Sequence, residues 1–475
     1  MFKMKPFPHQ QKELDEHWDT FNRFHRHEQG LGKTKLCIDN AAMLWRAGYL
    51  DFVITIAPNG VHRNWYSDEI PRHMPDDVDS MSVCYHTQKA KTKKHQKELA
   101  DLLKHPGLGW LCMSYDAVST KAGYELIFNT LKDKAVMLII DESHYIKTPK
   151  AAITRKMRTL SRWAKFRRVM TGTPTDGNPF DLYSQVAAYN PEFWPRHGLR
   201  TFAEFKNRYG TWKKGFNSAG REFPVLVSYR NIDELKKIVD FTGSRLTKDL
   251  LDLPEKLYTK RYVQMNPAQR AAYNDMINTC VTFINGEVCS ADIALSVLTK
   301  LHQITSGFIK TDGGEIKPFD GPDHRLIAAR EIVENAQHKV IIWANFVRNI
   351  DVLMHELKDF NPVRYDGSVD EEGKHRAKHL FNTSEKHRVF IANPLAGAEG
   401  LTLIEAKTSV YYSQNFRLIK RQQSEDRNHR IGQNNAVLYI DMVAEDSVDQ
   451  KIVEALRRKF DIASQLTGDT LKEWI

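Results

Sequence analysis

The chain has no apolar run approaching the ~20 residues that a helix needs to cross a bilayer. Its start, Met1-Phe2-Lys3-Met4-Lys5-Pro6, lacks the apolar core of a secretion signal. No membrane partner and a cytoplasmic location are therefore expected. Cysteine is scarce: Cys37, Cys84, Cys112, Cys280 and Cys289 lie far apart, with no C-x-x-C pair. That spacing excludes a disulfide framework and a thiolate zinc site, and fits a reducing compartment. His375 and His379 stand four apart without a third ligand, so they too predict no metal site. Negative charge is in deficit, since 69 Lys and Arg face 59 Asp and Glu for a net charge of +10. This surplus permits a polyanionic partner without demanding one. The remainder, 41% hydrophobic and 27% charged over 475 residues, is ordinary for globular protein and long enough for several domains.

The stretch Glu28-Gln29-Gly30-Leu31-Gly32-Lys33-Thr34 lies between a presumed strand and a helical pattern made by Leu36, Ile38, Ala41, Leu44 and Trp45. Glycines at such a junction let backbone N–H groups converge on phosphate oxygens. Gln29, Gly30, Leu31 and Gly32 form the cradle. Lys33 then reaches the β- and γ-phosphates, and the Thr34 hydroxyl holds Mg²⁺. The strict G-x-x-x-x-G-K-[ST] spacing is not met, because His27 stands where the first Gly belongs. The rest of the chain must therefore supply a partner. Ala135 to Ile140 is a continuous apolar run ending in Asp141-Glu142-Ser143-His144. A strand of a parallel sheet delivers the residues after it to the ligand edge. Asp141 suits Mg²⁺, which prefers oxygen ligands, and Glu142 beside it is placed to join the metal or orient an attacking water. The Gln10 amide suits the two-sided edge of adenine and serves equally as a polar helix start. Residues 151–170 carry seven Lys and Arg and no acid, which reads evenly as a phosphate-facing helix or a solvated one.

Taken in order, Gln10, Glu28 to Thr34, Ala57-Pro58 with Asn64-Trp65, Asp141 to His144 and Thr171-Gly172-Thr173-Pro174 resemble the first lobe of the Swi/Snf-type ATPases. These are DNA translocases within helicase superfamily two. Ser244-Arg245-Leu246-Thr247-Lys248 resembles their connecting segment, and Arg364 to Ser368 and Gly397 to Leu403 resemble motifs of the second lobe. Gln423-Ser424-Glu425-Asp426-Arg427-Asn428-His429-Arg430-Ile431-Gly432-Gln433 is similar to the last motif nearly throughout. The resemblance implies an α/β fold of two RecA-like doubly wound parallel-sheet lobes with helical insertions between them. The expected parts are 1–190, 191–325 and 326–475. ATP and Mg²⁺ are implied, with Thr34, Asp141 and Glu142 as metal candidates. Lys33, Asp141, Glu142, Gln423, Arg427 and Arg430 are the implied catalytic set; Gln10 and Gly400 join the phosphate loop in nucleotide binding. Arg427 and Arg430, three apart, are expected on one helical face, where two guanidiniums neutralise charge at the γ-phosphate. Asn64, Ser114, Lys147 and Arg376 are implied contacts to DNA.

The implied activity is that of a DNA-stimulated ATP hydrolase. It would move along double-stranded or branched DNA by opening and closing its lobes, as a monomer. The short chain fits a compact bacterial or viral form better than a chromatin remodeller. A strand-separating or branch-remodelling helicase is the runner-up, with the aromatic and basic stretch 190–216 as the candidate parting element. A DNA-binding clamp that hydrolyses nothing belongs to another class, and the intact Lys33, Glu142, Arg427 and Arg430 argue against it.

Overall fold

A computed structural model describes residues 2–216, 221–286, 291–311, 313–397 and 401–467. The chain forms two compact units, one built on Met1–Thr211 and Ser228–Leu250, the other on Trp212–Val227 and Leu251–Asp461.

The first unit is a seven-stranded sheet. Its strands are β1 (Asn22–His27), β2 (Phe52–Ala57), β3 (Ser80–Cys84), β4 (Leu108–Ser114), β5 (Val136–Asp141), β6 (Phe166–Met170) and β9 (Arg245–Leu246), in the order β3-β4-β2-β5-β6-β1-β9. Neighbouring strands pair in parallel throughout. Parallel sheets are covered by helices on both faces, so their strands read as unbroken apolar runs. β2 and β5 obey this rule and are buried along their whole length. Ile38 and Leu44 of the helix Lys33–Arg46 pack against Val53, Met137 and Ile139 in one core.

β1 breaks the rule, since five of its six residues are polar. Its polar side chains find partners instead. Arg23 meets Glu13 at 2.6 Å, Arg26 meets Asp240 at 3.0 Å, and the His27 ring meets the Ser244 hydroxyl at 2.7 Å. The last contact belongs to the segment Ser244–Leu246, which adds to the sheet as β9. Burial pushes the His25 and His27 imidazoles well below their usual pKa, and neighbouring cations add to the effect.

The second unit is a six-stranded sheet of β10 (Lys256–Val263), β13 (Lys339–Trp343), β14 (Val363–Tyr365), β15 (Val389–Ala392), β16 (Ala406–Tyr411) and β17 (Val437–Ala444). Their order is β10-β17-β16-β13-β15-β14, again with parallel pairing. Alternate residues of β13 feed two cores, Val340 and Ile342 one, Ile341 and Trp343 the other, as the two-residue strand period requires. β11 (Phe308–Lys310) and β12 (Ile316–Pro318) pair antiparallel on their own. The chain is thus an α/β protein with two RecA-like doubly wound sheets.

The aromatic stretch 190–216 divides in two. Trp194, Phe205 and Tyr209 are buried; Tyr183 stacks on Trp194, and the other rings meet tilted or edge-on. The expectation that this whole stretch parts strands therefore fails for its first half, where the rings close a small core. β7 (Gly210–Phe216), which pairs with β8 (Glu222–Tyr229), keeps its side chains largely outside.

Acid should weaken the second unit. His302 is buried in the helix Ala291–Thr305 against Phe346, with ring centroids 4.9 Å apart. Burial and then the Arg325 charge push its pKa down to about 4, although Asp449 pulls the other way. Between pH 6.5 and 4 the unfolded chain binds this proton and the folded one does not, so stability falls as the pH falls. A urea series from about pH 7.5 to about pH 5 should show a declining midpoint that His302→Leu partly flattens. An identical pH slope in the variant contradicts the assignment.

Candidate functional site

Four neighbouring strands of the first sheet, β5-β6-β1-β9, end at one edge. Their C-terminal ends lead into Glu142, Thr171, Glu28 and Thr247 respectively. This is the edge at which open parallel sheets bind ligands.

The phosphate loop leaves β1 and turns twice through left-handed backbone, at Gly30 (φ 88°) and Gly32 (φ 72°). Only glycine takes that conformation without strain. A Cβ at position 32 would also stand 2.3 Å from the Gln10 amide nitrogen. The helix Lys33–Arg46 starts directly afterwards, and Leu36 N bonds Gly32 O at 3.0 Å. The N–H groups of its first turn precede any intrahelical acceptor, which suits an anion. Lys33 Nζ donates to the loop's own carbonyls, His27 O at 2.7 Å and Glu28 O at 3.1 Å. It is thereby held over the loop. Gln29 and Leu31 lie in the same turn, and Thr34 is the half-buried second residue of the helix.

Gln10 differs from expectation. It is fully buried, its amide oxygen accepts from Phe7 N at 2.8 Å, and its amide nitrogen donates to Gly32 O at 2.8 Å. One N–H and the carbonyl oxygen of the amide are thus engaged on backbone, and Gln10 braces the loop. His9 holds the Leu31 carbonyl at 3.0 Å in the same way.

Asp141 ends β5 as a buried carboxylate. Its Oδ2 accepts from Trp65 Nε1 at 2.8 Å and its Oδ1 from Glu142 N at 2.9 Å. Burial and then the Glu142 charge raise its pKa, against the pull of Trp65 and Lys33. Glu142 has φ 49°, a left-handed conformation unusual for a side-chain-bearing residue. Such strain costs roughly 1–3 kcal/mol and gathers at functional positions. Burial opposes the Glu142 charge too, but His144, Lys33 and the Thr171 hydroxyl overcome it and hold the pKa low. Glu142 Oε2 lies 3.3 Å from His144 Nδ1 and accepts from Thr171 Oγ1 at 3.1 Å. Ser143 continues the link, donating to Gln185, whose amide reaches Pro174 O at 2.6 Å.

The Glu28 carboxylate accepts from Lys248 N at 2.7 Å and faces Arg245 at 3.4 Å. Arg245 in turn donates to Arg26 O and Gly172 O. Gly172 sits so close to the loop that a Cβ would lie 3.2 Å from Gln29 N. The loop, Thr171 to Thr173 and residues 245–248 are therefore one bonded cluster. Sequence reasoning missed Trp65 and Tyr115 as parts of it; Tyr115 Oη donates to Asp141 O at 2.6 Å. The available signal was a buried tryptophan, whose N–H must find an acceptor.

The oxygen donors here suit a hard cation. Among the described residues Asp141 has no ion pair, and its carboxylate is desolvated; Thr34 adds a hydroxyl. No group of three or more His, Cys, Asp or Glu arranged for a metal occurs among the described residues.

In the second unit, the helix Leu418–Glu425 ends before the two arginines. The expected shared helical face does not form: Arg427 and Arg430 lie in the turn after it. The reason is local. Arg427 Nε donates to Gln423 O at 2.8 Å and takes the carbonyl that a further helical turn would use. Both guanidiniums still converge, each donating to Leu401 O at 3.1 Å, and Arg430 also bonds Thr402 Oγ1 at 2.9 Å. Gly400, adjacent in sequence, lies outside the described residues. Gln423 is fully buried, and its side-chain oxygen accepts from Lys420 Nζ at 3.2 Å. Its amide nitrogen is buried without a hydrogen-bond partner among the described residues.

An ionic cluster underlies this turn. Glu425 accepts from Arg421 Nε at 2.7 Å, Tyr258 Oη at 2.8 Å and Lys256 Nζ at 3.0 Å. Arg421 also meets Asp441 and lies over the Tyr411 ring, 3.4 Å from its centroid. Burial disfavours the Glu425 charge, but Lys256 and Arg421 outweigh it and keep the pKa low.

Of the four DNA candidates, Asn64, Ser114 and Lys147 belong to the first unit and Arg376 to the second. Asn64 is exposed at the end of Val61–Asn64, and Arg376 is exposed on Glu371–Thr383, loosely paired with Glu372. Ser114 is buried and caps the helix Tyr115–Ser119 by accepting from Ala117 N. Lys147 lies 3.5 Å from Asp176 and 3.4 Å from Asp181. The charge of Lys147 is thus already answered, and the Ser114 hydroxyl is already used.

Two parallel-sheet units, the first carrying a phosphate loop and an adjacent acidic pair and the second an arginine turn, define a helicase-type ATPase architecture. The profile described as "SNF2-related domain" matches residues 23–307, and that described as "Helicase conserved C-terminal domain" matches residues 324–432. The first match covers more than half of the chain, which therefore belongs to the SNF2-related family. It is 24% identical over 453 residues to the mouse "Chromodomain-helicase-DNA-binding protein 1-like", covering 92% of this chain and 47% of that one. It is 25% identical over 460 residues to the yeast "ISWI chromatin-remodeling complex ATPase ISW1" (91% and 37%). It is 23% identical over 337 residues to an "Uncharacterized ATP-dependent helicase" of Mycoplasma pneumoniae (70% and 31%). The chain spans about half the length of the curated relatives it matches. Among solved structures it is similar to the "Sulfolobus solfataricus SWI2/SNF2 ATPase core in complex with dsDNA", at 22% identity and a TM-score of 0.42, covering 98% of this chain and 94% of that one.

Glu425→Ala should leave the buried Arg421 and the half-buried Lys256 without the carboxylate they share, Arg421 keeping only Asp441. Removing one partner of a buried pair costs about 3–5 kcal/mol. Urea denaturation should show the loss, and a variant within ~0.5 kcal/mol of wild type contradicts the role given to Glu425.

Proposed function

We propose that this chain is an ATP-dependent DNA translocase, a DNA-stimulated ATPase that moves along double-stranded DNA. The observation that carries the reading is the Asp141–Glu142 pair, the first carboxylate buried and the second half-buried, at the sheet edge that also holds the phosphate loop. Two adjacent carboxylates with opposite proton affinities, fixed beside a lysine-bearing glycine loop, suit phosphoryl transfer to water.

In this reading the loop amides and Lys33 bind the triphosphate. Lys33 exchanges the carbonyls of His27 and Glu28 for phosphate oxygens. Thr34 and Asp141 would hold Mg²⁺, which when bound neutralises charge on the β- and γ-phosphates. Glu142 stays ionised at neutral pH. Its bonds to His144 and Thr171 both end on Oε2, which leaves Oε1 to orient the attacking water and accept its proton. His144 and Thr171 fix that carboxylate, and Thr171 ties it to the segment that packs on the loop. Arg427 and Arg430 supply positive charge to the γ-phosphate in turnover. ATP favours the closed state of the two lobes through contacts made only there, and hydrolysis releases them. Coupled to grip on the phosphate backbone, this cycle moves the protein along DNA. Such contacts carry no sequence information and weaken steeply with salt. The net charge of +10 agrees with that partner.

A clamp that hydrolyses nothing has no use for a strained Glu142 held in its ionised form. The names of the remodelling relatives describe proteins about twice this length or more, and their assemblies are not carried over. A strand-separating mode is favoured by one observation, the exposed hairpin β7–β8.

Phosphate release should rise with added double-stranded DNA and fall again with added salt. Glu142→Gln should bind ATP and retain it unhydrolysed; a variant that cycles normally moves the water-orienting role elsewhere. Arg430→Ala should keep ATP affinity while turnover drops roughly 10³-fold or more. Unchanged turnover removes the arginine from the mechanism, and absence of any phosphate release in the wild type with DNA restores the clamp.

A further inference from the structure

The hairpin β7–β8 has a firm base and an unusual surface. At its base, Arg230 N donates to Tyr209 O at 3.0 Å, and Asn231 Nδ2 donates to Arg208 O at 2.9 Å. The Tyr229 ring packs edge-on against Phe180, 5.4 Å away at 77°. Beyond the base, side chains alternate between two faces. A Cβ on Gly215 would meet Val225 at 2.6 Å and Phe223 at 3.3 Å, so these three share one face. Lys214 donates to Glu222 at 3.1 Å on the other face, which also carries Phe216. Each face therefore presents a phenylalanine: Phe223 is 45% exposed and Phe216 65% exposed, with Val227 at 57%.

A two-stranded ribbon is at best marginal by itself in water, and exposed rings on both of its faces add nothing to its stability. Such rings mark a contact surface. The charge around them selects the partner. From Arg196 to Arg230 the chain holds eight Lys and Arg against Glu204 and Glu222; of these cations Lys214 pairs with Glu222 and Arg208 with Glu234, so the surplus stays positive. Aromatic rings among cations fit nucleic acid, because phosphates meet the cations and bases stack on the rings. An intact duplex hides its base faces. The rings gain a partner only where bases are unpaired.

We propose that the β7–β8 hairpin is a second DNA-contact element that stacks unpaired bases at a duplex–single-strand junction, with Phe216 and Phe223 on opposite faces as the stacking rings. The preferred substrate is then forked or branched DNA rather than a uniform duplex. This rests on the DNA-tracking reading and adds the substrate class. A protein partner with an acidic, apolar surface is the competing occupant, and it predicts no discrimination between DNA structures.

The test compares full-length protein without ATP on forked and blunt duplexes of equal length, by anisotropy, with 2-aminopurine at the fork's first unpaired position. Wild type should bind the fork at least ~10-fold more tightly, the effect expected of one or two stacked bases, and quench the 2-aminopurine. The Phe216→Ala/Phe223→Ala double variant should lose both the preference and the quench. Its ATP turnover on blunt duplex should be unchanged, as should its urea midpoint. Phe216→Trp, which keeps a ring, should retain the preference. Equal wild-type affinity for fork and blunt duplex, or a double variant that still prefers the fork, overturns the proposal. Loss of all DNA-stimulated turnover in the wild type counts against the translocase reading instead, because the hairpin is read only from the difference in affinity.

Discussion

Parallel pairing of β5, β6, β1 and β9 is the constraint on which the first unit depends. Registered side by side, these strands end together, and each releases a different chemical element at the same edge. β5 delivers the acidic pair, β6 the Thr171 hydroxyl, β1 the phosphate loop and β9 the Lys248 amide that holds Glu28. A one-residue slip in a strand turns every side chain to the opposite face. Here it would take Asp141 from Trp65 and Thr171 from Glu142 together. The continuous apolar character of β2 and β5 serves that registry, since both faces must stay covered for the edge to stay level.

The edge is costly to maintain. Asp141 is desolvated beside a second carboxylate, Glu142 is in left-handed backbone, and Lys33 is nearly enclosed. A structure selected only for stability would avoid all three. The hydrogen bonds of Trp65, His144 and Thr171 offset these costs and fix the geometry at the same time. The second unit repeats the pattern around its arginine turn. Arg421 and Glu425 lie in the core as ions, matched by Lys256, Tyr258 and Asp441. Arg427 and Arg430 thereby reach one carbonyl from a turn instead of a helix.

Much of this was legible in the residues. The run ending in Asp141-Glu142 announces a buried strand and its ligand edge, because burial on both faces leaves a continuous apolar signature. The glycine loop before Lys33 is equally plain despite His27, since its two left-handed turns need glycine only at positions 30 and 32. Other parts were hidden by long-range pairing. β1 reads as a polar run, and its place inside a sheet depends on Glu13, Asp240 and Ser244, two of them more than 200 residues away. Gln10 carries the right chemistry for adenine, yet backbone groups of Phe7 and Gly32 claim its amide. The three-residue spacing of Arg427 and Arg430 is the spacing of a helical face, but the Arg427 side chain itself ends the helix. Aromatic composition at 190–216 could not separate Trp194, which is core, from Phe216, which is surface. That difference is made by burial alone.

The central claim is that the β1 loop and the β5 carboxylates form one nucleotide-handling edge whose cation is Lys33. The most direct measurement is equilibrium binding of a fluorescent ATP analogue to Lys33→Ala, alongside its steady-state phosphate release with DNA present. The account predicts binding weakened severalfold or more and turnover abolished, with the fold intact by circular dichroism. A Lys33→Ala protein that binds and hydrolyses ATP as wild type does would contradict it.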